Sequence, residues 1–374
     1  MDYDYSSEQK ILRESAHKLL AKECTSEHVR EMVNDEKGYS QKLWNKMAEL
    51  GWMSLLIPEK YEGSGVNFLD LTILLSEMGY YRLQGPFFST VVLGGLAVLE
   101  AGTDAQKAEI LPDLANGKKI MTIASVEEEG LFSPEGIHLT ANLEAEHVVL
   151  SGMKLFVPDA HVADIIICAA RLSTEENGIS LFMVDTKSEG LHIKVLDTLT
   201  GDKQCEVIFD KVKVPKANLL GGLNNGWPIL ESVFLKAAVA KCAEMSGGAE
   251  KVMDLVVPYT KGRKQFGKPI GAFQAVQHHC ANMITYADTI KLMTQQAAWT
   301  ISQGLPFESQ ASMCKAWVSD SYRKLVALGH QVVGGFGFME EYDLQLYFKQ
   351  AKTAELMLGD ADYHRECVAN EMGM

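Results

Sequence analysis

The hydrophobic period of this chain changes twice, and each change excludes whole classes of architecture. From Ser6 to about Lys118 apolar residues recur at helical spacing. Ile11, Leu12, Ala16, Leu19 and Leu20 share one face, followed by Leu43, Trp44, Met47 and Leu50 and by the stretch 69–78. Between about Ile120 and Gly222 short β-branched runs take over, at 148–150, 155–157, 165–169, 179–184 and 207–214. From Trp227 the helical period returns, with long segments around 229–261, 274–303 and 309–334. Helices, then strands, then long helices argue against an alternating βαβ enzyme. They predict an α+β chain with an N-terminal all-α domain at 1–118, a middle β-barrel or sandwich domain at 119–222 and a C-terminal helical domain at 223–374. A length of 374 residues suits two or three such domains, and no internal repeat or low-complexity tract interrupts them.

Local signals mark several element ends. Ser6 with Gln9, and Thr103 with Gln106, have capping-box spacing, while Gly51 and Gly79 stand where C-terminal caps would fall. Ser151-Gly152, between two β runs, suits a hairpin turn. The weakly polar run 85–99 is too short to span a bilayer and reads as a buried helix.

Charge narrows the partners. The 49 acidic residues outnumber the 35 basic ones, for a net charge of −14, which opposes binding to nucleic acid or to anionic membrane surfaces. Seven cysteines stand singly, without a C-x-x-C pair, so neither a disulfide framework nor a zinc ribbon is expected and a reducing cytoplasm fits. The first ten residues are acidic and polar where a secretory signal would be basic and then apolar.

Gly262 to Lys268 has the G-x-x-x-x-G-K spacing of a phosphate-binding loop. Pro269 replaces the magnesium-binding hydroxyl, however, and a helical segment precedes the glycine where a strand is required. The segment belongs to a longer constellation: Arg263-Lys264-Gln265-Phe266-Gly267-Lys268-Pro269-Ile270, then Phe273-Gln274, then Gln331-Val332-Val333-Gly334-Gly335-Phe336-Gly337-Phe338. With Val212-Lys213-Val214-Pro215 and Leu219-Leu220-Gly221 closing the middle zone, the chain resembles the acyl-CoA dehydrogenase family over nearly its whole length.

That resemblance implies a C-terminal four-helix-bundle domain and FAD bound across the subunits of a dimer or tetramer. Arg263 would chelate the pyrophosphate, Phe266 would pack on the cofactor, and Gln274, Gln331 and Gly335 would meet its adenosine end, with Gly334 also at the cofactor. A planar guanidinium makes bidentate bonds to phosphate oxygens, and glycine lets backbone N–H groups approach closely, so the chemistry agrees. It also implies an EC 1.3 oxidoreductase acting on acyl-CoA in fatty or organic acid degradation, with an electron-transfer flavoprotein or similar acceptor.

In the family a glutamate removes the α-proton of the thioester while hydride leaves the β-carbon. The matching triplet here is Leu358-Gly359-Asp360, and the alternative seat on the first long C-terminal helix falls at about Ala237, next to Ala238. Neither leucine nor alanine accepts a proton. In the middle domain the flavin-contacting run reads Ala124-Ser125-Val126-Glu127-Glu128-Glu129, and the aromatic-x-Thr pair reads Phe156-Val157-Pro158. Val126 and Pro158 both lack the hydroxyl that would bond the ring, which leaves the Val126 N–H and the Phe156 ring for it.

No metal site is expected: His278 and His279 diverge by about 100° on a helix, and Asp288, Asp360, Asp362, His364 and Glu366 read as ordinary surface and packing residues. The acidic run 127–129 reads as a solvated loop. Three functions follow as expectations. The chain is one of two unlike subunits, with the partner supplying the base; or it is a non-catalytic assembly subunit; or it is a single-chain enzyme whose base has moved to an acid such as Asp360 or Glu355.

Overall fold

The computed structural model describes residues 4–172 and 178–374. The chain opens with α1 (Ser7–Glu23), α2 (Ser26–Asn34), α3 (Gln41–Glu49) and α4 (Phe68–Tyr80). A π-helix at Phe88–Gly95 runs into α5 (Leu96–Ala101), and α6 (Asp104–Ala115) follows. The strands are β1 (Met121–Ala124), β2 (Thr140–Leu143), β3 (His147–Pro158), β4 (Ile165–Arg171), β5 (Ile179–Asp185), β6 (Leu191–Leu196), β7 (Gln204–Pro215) and β8 (Leu219–Leu220). Then come α7 (Gly226–Gly262), a ribbon of β9 (Lys264–Gln265) and β10 (Lys268–Pro269), α8 (Gln274–Ser302), α9 (Glu308–Val333), α10 (Leu344–Leu356) and α11 (Ala361–Glu371). Among the described residues no helix is long and apolar enough to cross a membrane.

The element order is the one that the hydrophobic period predicts, and the helix starts are set by the residues that predict them. The Ser6 hydroxyl accepts from Gln9 N at 3.2 Å while Gln9 Oε1 takes Ser6 N at 3.0 Å, and Thr103 with Gln106 repeats the exchange. Each such cap contributes about 1 kcal/mol. Gly51, at φ 74°, closes α3 as expected, its N–H bonding Ala48 O.

Contacts divide the chain into two compact units. Unit 1 comprises Met1–Arg30, Asn67–Leu83 and Leu235–Met374; unit 2 comprises Glu31–Val66 and Gln84–Phe234.

In unit 1, α9 packs against α7, α8, α10 and α11. Gly79 is not a cap: α4 runs on to Tyr80, and a Cβ at Gly79 would lie 1.9 Å from Glu244 O of α7. Gly247 of α7 has the reciprocal constraint, 1.7 Å from Ser76 O, so the two helices cross backbone to backbone. Close approach and left-handed capping both ask for glycine, so the residue type alone does not distinguish them.

Unit 2 holds a mixed eight-stranded sheet in the order β6-β7-β3-β2-β4-β5-β8, with β1 added parallel to β4. Alternate residues of β3, β4, β5 and β7, such as Val148, Leu150, Ile166, Cys168, Phe182, Val184, Val207 and Phe209, meet in one apolar cluster, so the sheet curls about its own core. The expected hairpin at Ser151-Gly152 is absent. β3 continues straight through, and Gly152 (φ 145°) marks a break in register with β7 between Leu150 and Gly152. A Cβ there would meet Leu139 at 2.9 Å, which makes this glycine a bulge and a close approach. The run 85–99 is largely helical and buried, as expected, although Phe88–Gly95 within it winds as a π-helix.

Candidate active site

In unit 1 the end of α7 is followed by a two-residue turn, Phe266-Gly267, with φ of 52° and 79°. Positive φ at both central positions matches the twist of a tight antiparallel ribbon, and Lys264–Gln265 pairs with Lys268–Pro269 across it. The segment is therefore a hairpin tip, consistent with the rejection of a nucleotide-triphosphate loop. Phe266 stands at the tip 90% exposed, edge-on to Phe273 at 6.1 Å, and Lys268 Nζ lies 4.4 Å from the Phe273 ring centre. The Arg263 backbone is fixed at both ends, its N–H donating to Tyr259 O and its carbonyl accepting from Ile270 N, both at 2.8 Å. Its guanidinium is exposed and makes no hydrogen bond or ion pair among the described residues.

The end of α9 is built on the same support. Gly334 takes φ 71°, ψ −148°, a region that only glycine occupies readily, and a Cβ at Gly334 or Gly335 would meet open space. Tyr259 of α7 donates its hydroxyl to Val333 O at 3.4 Å and stacks on Phe336 at 6.1 Å, with Tyr342 against Phe336 at 4.7 Å. Gln274 and Gln331 are exposed and their side chains are unpartnered among the described residues. Tyr259 thus ties Arg263 to the glycine turn, a role that periodicity could not reveal because the contact spans 74 residues.

His330 is a further residue that the sequence reading missed. It is buried between Phe338, 75% exposed and 5.1 Å away, and Phe348 at 5.2 Å, and burial lowers its pKa. Among the described residues no three His, Cys, Asp or Glu side chains converge as a metal site.

In unit 2, Val126 follows β1, and its carbonyl accepts from Leu155 N at 2.9 Å, which brings it beside Phe156. The Val126 N–H makes no hydrogen bond among the described residues. Phe156 lies in a second β3–β7 irregularity between Lys154 and Val157, at φ 53°, with its ring exposed and Pro158 two residues on.

Glu127 corrects the expectation of a solvated run. Glu128 and Glu129 are exposed, but Glu127 accepts His138 N and Leu139 N at 2.9–3.0 Å and pairs with Lys154 Nζ at 2.6 Å. Lys154 is fully buried and also reaches Ser125 O at 3.1 Å. A charge run predicts solvation only when no partner is buried beneath it, and here a lysine 27 residues away is.

The two positions at which the resemblance expects a base carry apolar side chains in buried surroundings: Ala237 is fully buried and Leu358 is 7% exposed. Asp360 and Glu355, the acids expected as substitutes, are occupied, and so is Glu127. Asp360 Oδ1 caps α11 by accepting Asp362 N at 3.1 Å and Tyr363 N at 2.9 Å, Glu355 pairs with Lys352 at 3.0 Å and Arg323 at 3.4 Å, and Glu127 is held as above.

Three domain signatures match the chain: acyl-CoA dehydrogenase N-terminal domain at 6–118, middle domain at 122–212 and C-terminal domain at 224–373. It is 30% identical over 380 residues to the acryloyl-CoA reductase (NADH) of Anaerotignum propionicum, covering 100% of this chain and 96% of that protein. It is 28% identical to subunit CarC of the caffeyl-CoA reductase–Etf complex of Acetobacterium woodii, covering 98% of each. Butyryl-CoA dehydrogenase from Megasphaera elsdenii superposes with a TM-score of 0.93 at 26% identity, covering 100% of both chains.

Proposed function

We propose that this chain, which belongs to the acyl-CoA dehydrogenase family, works as one of two unlike subunits whose partner supplies the acid–base group at the α-carbon. Its class is that of FAD-dependent oxidoreductases acting on acyl-CoA thioesters, EC 1.3. When bound, FAD supplies a hydride acceptor or donor for the β-carbon. The residues fit such a cofactor. Arg263, unpartnered among the described residues, takes the pyrophosphate in a bidentate grip, and the open turn at Gly334 and Gly335 lets backbone N–H groups approach the cofactor. Gln274 and Gln331 reach the adenosine end, Phe266 packs on it, and the Val126 N–H with the Phe156 ring serves the flavin.

The observation that carries the heteromeric reading is the apolar side chains of Leu358 and Ala237, with Asp360 and Glu355 already engaged. Relatives bear the names of reductases as well as dehydrogenases, and the need is the same in both directions. A proton must leave the α-carbon in oxidation and arrive there in reduction. An electron-transfer flavoprotein is the acceptor or donor this reading assigns, in line with the complex named for the Acetobacterium relative. The compartment it assigns is the cytoplasm, where seven unpaired cysteines stay reduced.

The test is to purify the chain alone with FAD and add straight-chain acyl-CoAs. Loss of a general base lowers rates by ~10²–10⁴, so flavin bleaching should be slow or absent and should return when the partner is added. Turnover at ordinary family rates by the chain alone would sink the reading. Arg263→Ala should reduce flavin content after gel filtration more than Lys264→Ala, because a charge-assisted bidentate pair contributes ~1.5–3 kcal/mol. Equal, full occupancy in both variants would remove Arg263 from the pyrophosphate. The species in solution should be at least a dimer by light scattering.

A further inference from the structure

The turn between α10 and α11 is held by more buried polar chemistry than its length requires. Leu358 in that turn adopts φ 63°, a left-handed backbone that disfavours a branched side chain, and the residue is nonetheless buried. Beneath it lies Lys315 of α9, 0% exposed. Its Nζ donates to Gly359 O at 2.8 Å, Glu355 O at 2.9 Å and Ser319 Oγ at 3.2 Å: three donors, three neutral acceptors and no carboxylate. From α11, His364 Nε2–H donates to Leu358 O at 2.9 Å, while Nδ1 accepts from Ser312 Oγ at 3.3 Å. Three carbonyls of one short segment are thus each held by a buried side chain. An ammonium buried without a counter-charge is an expensive way to close a turn, and backbone strain that survives at such a place marks a constraint.

We propose that Lys315 is a positioning residue: by drawing in Glu355 O and Gly359 O while His364 holds Leu358 O, it keeps residue 358 left-handed and fixes the direction in which the side chain at 358 leaves the backbone. The functional meaning of this clamp rests on the reading of position 358 as a base seat. The seat is then preserved in its backbone although the carboxylate is gone.

The charged and titratable groups facing Lys315 are Lys241 and Cys242 of α7, Glu355 of α10, and Asp360 and His364 at and within α11. Burial lowers the lysine to about 8, with Lys241 adding to the shift and Cys242, Glu355 and Asp360 opposing it. His364 is lowered to about 4 by burial and by Lys315, and Cys242 is raised well above its ordinary value by burial, so both are neutral around pH 8.

The test uses the full chain loaded with FAD and labelled on its leucine methyl groups, with the Leu358 resonance assigned by its loss in Leu358→Ile. In the unmodified protein that methyl should titrate with a midpoint near 8, and in Lys315→Met the titration should vanish. A Leu358 methyl that stays flat from about pH 6.5 to 9.5 overturns the proposal, and this result needs no variant of Lys315 to fold. A second arm installs Leu358→Glu with and without Lys315→Met and follows flavin bleaching by an acyl-CoA. Bleaching at least ~10-fold faster with Lys315 intact is expected, and equal rates in the two backgrounds overturn the clamp. No bleaching in either background beside a clear methyl titration supports the clamp and overturns position 358 as the base seat.

Discussion

Lys154 of unit 2 and Lys315 of unit 1 are both fully buried, and each anchors a segment carrying a residue assigned to the reaction, yet their charges are satisfied in opposite ways. Lys154 meets a carboxylate, Glu127, at 2.6 Å, and that carboxylate also takes two backbone N–H groups of the same loop. Lys315 meets only two carbonyls and a hydroxyl. In the first case the partner stabilises the ion, and the pair tethers the loop that follows Val126. In the second no carboxylate bonds the ammonium, Cys242, Glu355 and Asp360 oppose burial without outweighing it, and the pKa falls to about 8. The ion pair makes a tether held by opposite charges. A carbonyl cage makes one that loosens within the physiological range.

This difference sets the expected costs. Lys154→Met leaves Glu127 nearly buried without its counter-charge, so it should destabilise unit 2 by about 3–5 kcal/mol in denaturant unfolding. Adding Glu127→Gln should recover much of that loss, since the amide oxygen still accepts from His138 N and Leu139 N without carrying charge. A double variant no better than Lys154→Met would show that the two residues do not act as a pair.

Lys315→Met should cost less, about 1–3 kcal/mol, because it orphans neutral carbonyls and strands no charge. Its pH dependence sharpens the contrast. A folded-state pKa near 8, below the unfolded value of about 10.4, means that the unfolded chain binds more protons between those limits. The unmodified protein should therefore gain stability relative to Lys315→Met as pH rises from about 8 to about 10. A gap that narrows over that window would mean that the cage favours the ammonium, as an ion pair would. The smallest effect belongs to Ser319→Ala, which removes one 3.2 Å bond and should cost about 0.5–1.5 kcal/mol, read as a small fall in Tm. A larger loss would make the hydroxyl, and not the carbonyls, the principal partner of Lys315.

Much of the fold was legible in the sequence because its signals are local. Capping boxes act over three residues and helical faces over seven or eight, so Ser6, Thr103, Gly51 and the long segments of α7, α8 and α9 could be read directly. The motif residues Arg263, Phe266, Gln274, Gln331 and Gly334 were legible for a related reason. Arg263, Phe266, Gln274 and Gln331 are exposed, so packing does not dictate their residue types. Errors came where a residue answers to a distant neighbour. Gly79 is small because Glu244 crosses it, Gly152 because Leu139 does, and Glu127 is desolvated by Lys154.

The sequence by itself determined the class of the chain, the order of its helices and strands and, through that class, the FAD cofactor, and it places leucine at 358 and alanine at 237. Only the tertiary structure decided that the left-handed turn at Leu358 has its carbonyls bonded by Lys315 and His364, and that the two buried lysines differ in their partners. The physical reason is one of range. Propensity, capping and residue type act within a turn or two of the backbone, whereas the cost of burying a charge depends on whichever groups the fold brings to it, here from 27 and 44 residues away.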